Sequence, residues 1–257
     1  MKIHVLVEGK SEKELIERWG CRAFPQHTLV AHPHQGKGDL PKGPRGKPNP
    51  KRRGLLDLLP VTLRAFGESA ARDDEGVLVL VDTDDERCTA LKARIAAATK
   101  KLPRLPRVVF RIAVEETEAF YLGDLRGLQA AFPDADMKKA REYLPDSICG
   151  TAELFGEIVD DGGLNKVAWA EVMGEHLTTS PARSRSPSFK ALHAGVSKLI
   201  AMEHPAQEPR RKKHWKARHP RLRKRRQVVH SPTARRSDHR PPPDQGAGRM
   251  GAWGQRW

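Results

Sequence analysis

Runs of consecutive apolar residues along the chain predict four short β-strands. The clearest run covers residues 77–81, where five apolar residues stand between a glycine and an aspartate. Such a run is typical of a strand that is buried on both faces of a parallel sheet. Apolar runs rich in β-branched residues predict further strands at residues 3–7, 28–31 and 108–114.

Apolar residues at helical spacing follow each predicted strand. After the first strand, Ser11 and Glu14 stand three residues apart in the pattern of a capping box, which predicts a helix through about residue 22. The same spacing predicts helices near residues 55–66, 86–98 and 115–122, and residues 123–203 are predicted to be mostly helical. This alternation is typical of an α/β domain with a mainly parallel sheet, here with a helical C-terminal part.

The charge balance of the chain changes near residue 204. Residues 205–257 carry 16 basic and three acidic residues, whereas residues 1–204 carry 31 basic and 29 acidic residues. The C-terminal segment has only three residues among Leu, Ile, Val and Phe, so it is predicted to be a disordered basic tail. Its abrupt onset and lack of pattern favour a frameshifted terminus, and a genuine basic arm for nucleic acid is the alternative.

These observations predict a single domain with a tail. Residues 1–122 form the core, residues 123–204 a helical extension of the same domain, and residues 205–257 the tail. No apolar run approaches the roughly 20 residues of a membrane helix, and the early acidic residue Glu8 argues against a signal peptide. The three cysteines form no CxxC pair, so we expect neither disulfides nor a zinc site. This cysteine usage favours a cytoplasmic location.

A long segment after the second strand, residues 32–53, is predicted to be a loop. It contains five prolines and, from residue 37 onward, seven basic residues against one acidic residue. Loops of this length are usually functional or disordered. Basic loop residues can hold phosphate groups, and the candidates are Lys37, Arg52 and Arg53.

Acidic residues gather where three of the predicted strands end. The carboxyl ends of parallel strands meet at one edge of a sheet, which is where ligands of open α/β sheets bind. Carboxylates that converge there would repel one another, and a hard divalent cation such as Mg²⁺ relieves that repulsion. The acids are Glu8 and Glu12 after the first strand, Asp82 and Asp84 after the third, and Glu115, Glu116 and Glu118 after the fourth.

Each acidic pattern alone has an ordinary explanation. Glu8 and Glu12 could be solvated charge at a helix start, and an Asp-x-Asp after a strand is often only a turn. Their coincidence at the same end of successive strands favours metal binding. Two Mg²⁺ or Mn²⁺ ions at such a site can promote hydrolysis of a phosphodiester.

The motifs at these positions resemble the Toprim domain. That family has a Glu after its first strand, here Val-Glu-Gly at residues 7–9, and an Asp-x-Asp after its third, here at residues 82–84. Toprim is the metal-binding fold of type IA and II topoisomerases, bacterial primases and the nuclease half of overcoming-lysogenisation-defect ATPases. Longer stretches resemble a bacterial Toprim-like family of unknown function that is often encoded beside an ATPase; they are residues 34–40, 53–57, 79–82, 111–120 and 186–190.

The resemblance implies a role for individual residues. Glu8 would be the general acid or base, and a late lysine, for which Lys190 is the candidate and Lys37 the alternative, would face the phosphate. A topoisomerase is disfavoured, because no separate domain supplies a tyrosine nucleophile. The implied metal ligands are Glu8, Glu12, Asp82, Asp84, Glu116 and Glu118.

The resemblance also implies a fold and a function. The fold would be a Toprim-like Rossmannoid domain, and the function a Mg²⁺-dependent nuclease in phage or mobile-element defence with an AAA or ABC-type ATPase partner. One alternative is a non-catalytic Toprim module that binds metal together with nucleic acid or a partner protein. Another is a small nucleotide-processing phosphotransferase, for which the sequence offers no nucleobase fingerprint.

Overall fold

The computed structural model of the protein describes residues 1–41, 51–69, 74–84, 86–100 and 102–202. All of these residues fall within one compact unit. Two of the sequence predictions fall on residues outside this part of the chain. They are the predictions for residues 42–50, which make up most of the basic stretch of the long loop, and for the tail from residue 205.

Four strands form one parallel sheet in the order β2-β1-β3-β4. The central strand β1 pairs with β2 on one side and β3 on the other, and β3 pairs with β4. The strands are β1 (Lys2–Val7), β2 (Thr28–Pro33), β3 (Glu75–Asp82) and β4 (Val108–Ala113). This confirms the predicted α/β class with a parallel sheet, and it places the carboxyl ends of β1 and β3 side by side.

Helices connect the strands and continue beyond the last one. The connecting helices are α1 (Lys10–Ala23), α2 (Leu55–Ser69) and α3 (Cys88–Thr99). In the described part of the chain, β4 is followed by α4 (Glu118–Gly123), α5 (Leu125–Ala131), α6 (Met137–Glu142), α7 (Thr151–Val159), α8 (Lys166–His176) and α9 (Pro187–Ala201), with a short 3-10 helix at Pro181–Arg183. None of the described helices is both long and apolar enough to cross a bilayer.

Apolar side chains cover both faces of the sheet. Alternate residues of β1 point to opposite faces, as strand geometry requires: Val5 packs in the cluster under α1 and Leu6 packs against α2 and α3. The cluster under α1 also contains Trp19, Phe120 and Phe189, which are fully buried. Burial of each such side chain contributes about 1.5–3 kcal/mol. The helices after β4 thus share the core of the sheet, which fixes the acidic segment that leads into α4.

Two local predictions at helix starts were wrong. Helix α1 begins at Lys10 with Gly9 as its N-cap, and Ser11 does not cap it, because its hydroxyl donates to the carboxylate of Glu12 at 2.9 Å. The helix after β4 begins at Glu118 rather than Glu115. Glu115 lies in a bend with a φ of 59°, a conformation that a helix cannot contain.

The loop after β2 folds back over the end of β1. The amide of Gly36 donates to the carbonyl of Glu8 at 2.9 Å, and the amide of Leu55 donates to the carbonyl of Gly36 at 2.8 Å. Gly38 has a φ of 65°, and a Cβ added to Gly54 would lie 2.5 Å from the Cα of Gly38. Glycine is required at this crossing because two backbone segments touch there.

We expect Gly54→Ala to destabilise the protein by about 1–3 kcal/mol, because a backbone atom must move to admit the methyl group. Gly162→Ala is the matched control, since a Cβ there meets open space. Urea unfolding of both variants measures the difference. An equal effect of the two substitutions would contradict the close packing of the loop.

Candidate metal centre

The ends of β1 and β3 are joined by a side chain of the predicted site. The carboxylate of Glu8 accepts a hydrogen bond from the backbone amide of Asp82 at 2.8 Å. Asp82 is the last residue of β3 and is 9% exposed. The parallel pairing of β1 and β3 therefore brings two predicted acids together from positions 74 residues apart.

Three carboxylates near this point have a buried oxygen without a hydrogen-bond partner in the described part of the chain: Oε2 of Glu12, Oδ1 of Asp82 and Oε1 of Glu118. Glu12 is 8% exposed and Glu118 only 2%. A buried polar atom without a partner costs about 1–3 kcal/mol, and more if it is charged. The three oxygens are therefore candidate ligand positions.

Burial and mutual repulsion raise the pKa of these carboxyl groups. For Asp82, burial raises the pKa well above its usual value, and the charges of Glu8, Glu12 and Glu118 raise it further. Burial raises the pKa of Glu118 to about 7, against the opposing charge of Lys166. The pKa of Glu8 is also raised to about 7, by burial, although the hydrogen bond from Asp82 opposes this. Without a cation, the cluster therefore holds protons near neutral pH.

Asp84 is separated from the buried acids by its backbone conformation. It has a φ of 48°, and its side chain is 59% exposed. The ammonium of Lys37, on the loop that covers β1, donates to Oδ2 of Asp84 at 3.1 Å and to the carbonyl of Thr83 at 2.8 Å. The loop after β2 thereby places one predicted phosphate-binding residue beside a predicted metal ligand.

Glu116 receives donors from two later helices. Its Oε1 accepts from the ammonium of Lys166 at 2.5 Å, and its Oε2 accepts from the amide of Ala152 at 3.1 Å. Lys166 is the first residue of α8, and its charge also opposes the raised pKa of Glu118. The acids after β4 therefore have a lysine neighbour that the sequence did not indicate.

Glu115 has a structural role. Its carboxylate accepts hydrogen bonds from the backbone amides of Cys149, Gly150 and Thr151 and from the hydroxyl of Thr151. These donors lie at the N-terminus of α7. Although burial opposes the shift, they hold the pKa of Glu115 below its usual value. Glu115 thus ties the end of β4 to a helix 36 residues further along the chain.

A family model matches residues 7–197 of the chain, and its description is "Domain of unknown function (DUF4276)". The match covers well over half of the sequence. The chain belongs to the DUF4276 family. Neither curated proteins nor solved structures match it. The family assignment agrees with the predicted membership of a family of unknown function.

In this DUF4276 chain, the six predicted metal ligands lie around the meeting ends of β1, β3 and β4. Among the described residues, no three His, Cys, Asp or Glu side chains are placed closely enough to hold one metal ion as they stand. Lys190 is exposed in the first turn of α9, and no contact in the described region joins its ammonium to the acids. Arg52 and Arg53 are exposed at the end of the covering loop. Their roles stay predictions.

The raised pKa values of Glu8 and Glu118 predict how the stability of this DUF4276 domain depends on pH. Between their usual pKa of 4.5 and about 7, the folded state binds protons that the unfolded state lacks. We therefore expect these two carboxyl groups to make the free energy of unfolding, measured in EDTA, rise as the pH falls from about 8 to about 5. The lowered pKa values of His4, His32 and His193 act in the opposite direction. Glu118→Gln should flatten this slope, and an unchanged slope would contradict the assignment.

Proposed function

We propose that the protein is a divalent-cation-dependent nuclease with a Toprim-like site that hydrolyses nucleic-acid phosphodiesters. The observation that carries the proposal is the set of buried carboxylate oxygens without hydrogen-bond partners in Glu12, Asp82 and Glu118. The Toprim resemblance supports the choice of reaction, because the Glu and Asp-x-Asp of that family correspond to Glu8 and to residues 82–84.

The donor set suits Mg²⁺ or Mn²⁺. These hard cations prefer carboxylate oxygens, and a cation would offset the repulsion that raises the carboxyl pKa values. Glu8, Glu12, Asp82 and Glu118 would hold the first ion, and Asp84 and Glu116 would extend the site to a second. When bound, such ions stabilise the negative charge that develops on a phosphodiester during hydrolysis.

Glu8 is suited to move a proton. Its pKa of about 7 lets it exchange a proton near neutral pH. The hydrogen bond from the amide of Asp82 fixes one carboxylate oxygen and leaves the other for a cation or a water molecule. In the proposed reaction, Glu8 accepts the proton of the water that attacks phosphorus, the P–O bond to the leaving oxygen breaks, and that oxygen takes up a proton from Glu8 or from solvent.

Lysine side chains border the acids on two sides. Lys37 pairs with Asp84 and Lys166 pairs with Glu116. A cation bound by either carboxylate would weaken its attraction for the lysine and leave the ammonium group available to a phosphate. Lys37 was a sequence candidate for this contact, and Lys166 adds a second from α8. Lys190 remains a candidate only through the resemblance.

The cellular role is proposed from the resemblance alone. Toprim-like proteins of this kind are often encoded beside an ATPase, so we propose an AAA or ABC-type ATPase partner and a cytoplasmic role in phage or mobile-element defence. Co-purification of an AAA or ABC-type ATPase with the tagged full-length protein from its native cells tests the partner.

We expect the double substitution Arg52→Ala and Arg53→Ala to weaken nucleic-acid binding and to reduce its salt dependence. Both side chains are exposed, and removing a side chain that binds a phosphate should reduce the slope of log K against log salt by about 0.9. The control is Arg126→Ala with Lys138→Ala, two exposed cations on α5 and α6. Fluorescence anisotropy over a salt series measures the affinity for nucleic acid and its salt dependence in each double variant. Equal slopes in the two double variants would remove the loop from the proposed interface.

A cleavage assay tests the nuclease proposal. Single-stranded DNA, duplex DNA and RNA are incubated with the parent or with Asp82→Asn, in Mg²⁺, Mn²⁺ or EDTA. We expect cleavage by the parent only when a divalent cation is present, and none by Asp82→Asn. Cleavage in EDTA, or equal cleavage by both proteins, would contradict the proposal. Metal binding without cleavage would favour the non-catalytic module.

A further inference from the structure

A fully buried tyrosine lies beside the carboxylates without a hydrogen-bond partner. Tyr121 in α4 is 0% exposed, and its hydroxyl has no partner among the described residues. Its ring packs against Phe155 with a centroid separation of 5.2 Å, so the side chain is held by packing. Buried tyrosine hydroxyls normally find a partner. The lone hydroxyl therefore points to an interaction that forms only in another state of the site.

The acids of the site can supply that interaction. Glu118 precedes Tyr121 by three residues in α4, which places the two side chains on the same face of the helix. Oε1 of Glu118 is also buried without a partner. After burial, the charges of Glu118, Glu12 and Asp82 are the next causes that raise the pKa of Tyr121, and the hydroxyl of Thr117, which lies close to the phenol but outside hydrogen-bond geometry, opposes them. The phenol and Glu118 thus lie on one face of α4, and each has a buried oxygen without a partner among the described residues.

We infer that Tyr121 is a positioning residue, whose hydroxyl donates a hydrogen bond to the carboxylate of Glu118 when a divalent cation is bound. The inference rests on the proposed function, because it needs Glu118 to act as an ionised ligand. A hydrogen bond to an ionised carboxylate is stronger than one to a neutral carboxyl group. Groups that hold metal ligands in this way orient them and commonly account for a factor of about 10–100 in metal affinity.

The test compares Tyr121→Phe with Tyr143→Phe in the full-length protein. Phenylalanine keeps the ring and removes only the hydroxyl. Tyr143 is also buried, but its hydroxyl already accepts from the amide of Asp146 at 3.1 Å. Each protein is titrated with Mn²⁺ and followed by electron paramagnetic resonance, which reports both the affinity and the line shape of the bound ion. Melting temperatures are measured in EDTA.

We expect Tyr121→Phe to bind Mn²⁺ about tenfold more weakly than the parent. The line shape of the bound ion should change, and the melting temperature in EDTA should stay the same or rise. Tyr143→Phe should keep the affinity and line shape of the parent and melt at a lower temperature.

Two results would overturn the inference while leaving the proposed function intact. One is a parent-like affinity and line shape in Tyr121→Phe. The other is a loss of melting temperature in Tyr121→Phe as large as in Tyr143→Phe, which would show that the hydroxyl has a structural partner in the metal-free protein. A parent that binds no Mn²⁺ would overturn the proposed function and this inference together.

Discussion

In EDTA at pH 8, Asp82→Asn should melt at a higher temperature than the parent, and Mn²⁺ should no longer stabilise it. The carboxyl group of Asp82 is buried among other carboxylates, and its raised pKa means that folding disfavours its charge. Asparagine keeps the shape of the side chain, removes that charge and offers an amide to the unpaired oxygens nearby. We expect a gain of about 1–2 kcal/mol, or a few degrees.

Added Mn²⁺ should reverse this order by raising the melting temperature of the parent and not that of Asp82→Asn. A ligand that binds only the folded state stabilises it by about 2.7 kcal/mol at a concentration 100 times its Kd, so Mn²⁺ should raise the melting temperature of the parent by several degrees. Asp82→Asn should show little of this increase. Asp134→Asn is the control, because Asp134 is exposed on the loop between α5 and α6. If Mn²⁺ raises the melting temperature of all three proteins equally, Asp82 holds no metal.

Glu115→Gln should be among the most destabilising substitutions of an acidic residue in this protein. The carboxylate accepts from three backbone amides and one hydroxyl at the start of α7. A glutamine would present an amide to some of these donors and leave them buried without an acceptor. We expect a loss of about 3 kcal/mol at pH 7, which is roughly 6–12 °C for a domain of this size.

The pH dependence of this loss provides a second check. The pKa of Glu115 is lowered, so the stability that it contributes is present above its usual value of 4.5 and disappears as the pH falls through the folded-state pKa. The difference between the parent and Glu115→Gln should therefore shrink below about pH 4. Glu142→Gln, at an exposed acid on α6, should match the parent throughout. A loss that persists undiminished at low pH would contradict the charged cap.

The same kind of substitution at Asp82 and at Glu115 is thus expected to have opposite effects on stability. Both are buried acids at the end of a strand. Asp82 faces other carboxylates and Glu115 faces hydrogen-bond donors, so neutralising the first should stabilise the protein and neutralising the second should destabilise it. This contrast separates the candidate metal centre from the structure that supports it.

The pattern of apolar residues was sufficient to predict the sheet. Residues 77–81 form a strand that is buried throughout, and every predicted strand agrees with the structure to within two residues at either end. Once the strands were predicted, the acids that follow them could be placed at one edge of the sheet, because parallel neighbours such as β1 and β3 end at the same edge. The pattern of apolar residues reflects which residues are buried locally, and that burial determines where a strand lies along the chain.

The sequence could not predict the partners of the acids, because these depend on tertiary contacts. The resemblance left Glu115 out of the implied metal ligands, but no pattern around residues 115–118 indicated that Glu115 caps α7. Lys166 reaches Glu116 from 50 residues away and belongs to no recognisable motif. Ser11 matched a capping box, but its hydroxyl bonds to Glu12 instead. Each of these outcomes depends on a backbone bend or on the position of a distant helix.

The most direct test of the proposed metal site is a Mn²⁺ titration of the metal-free protein at about pH 7.5, with free Mn²⁺ followed by electron paramagnetic resonance. We expect the parent and Asp134→Asn to bind Mn²⁺ with the same affinity, and Asp82→Asn to bind it at least about tenfold more weakly. Equal binding by all three proteins, or no binding by the parent, would contradict the claim that these buried carboxylates form a metal site.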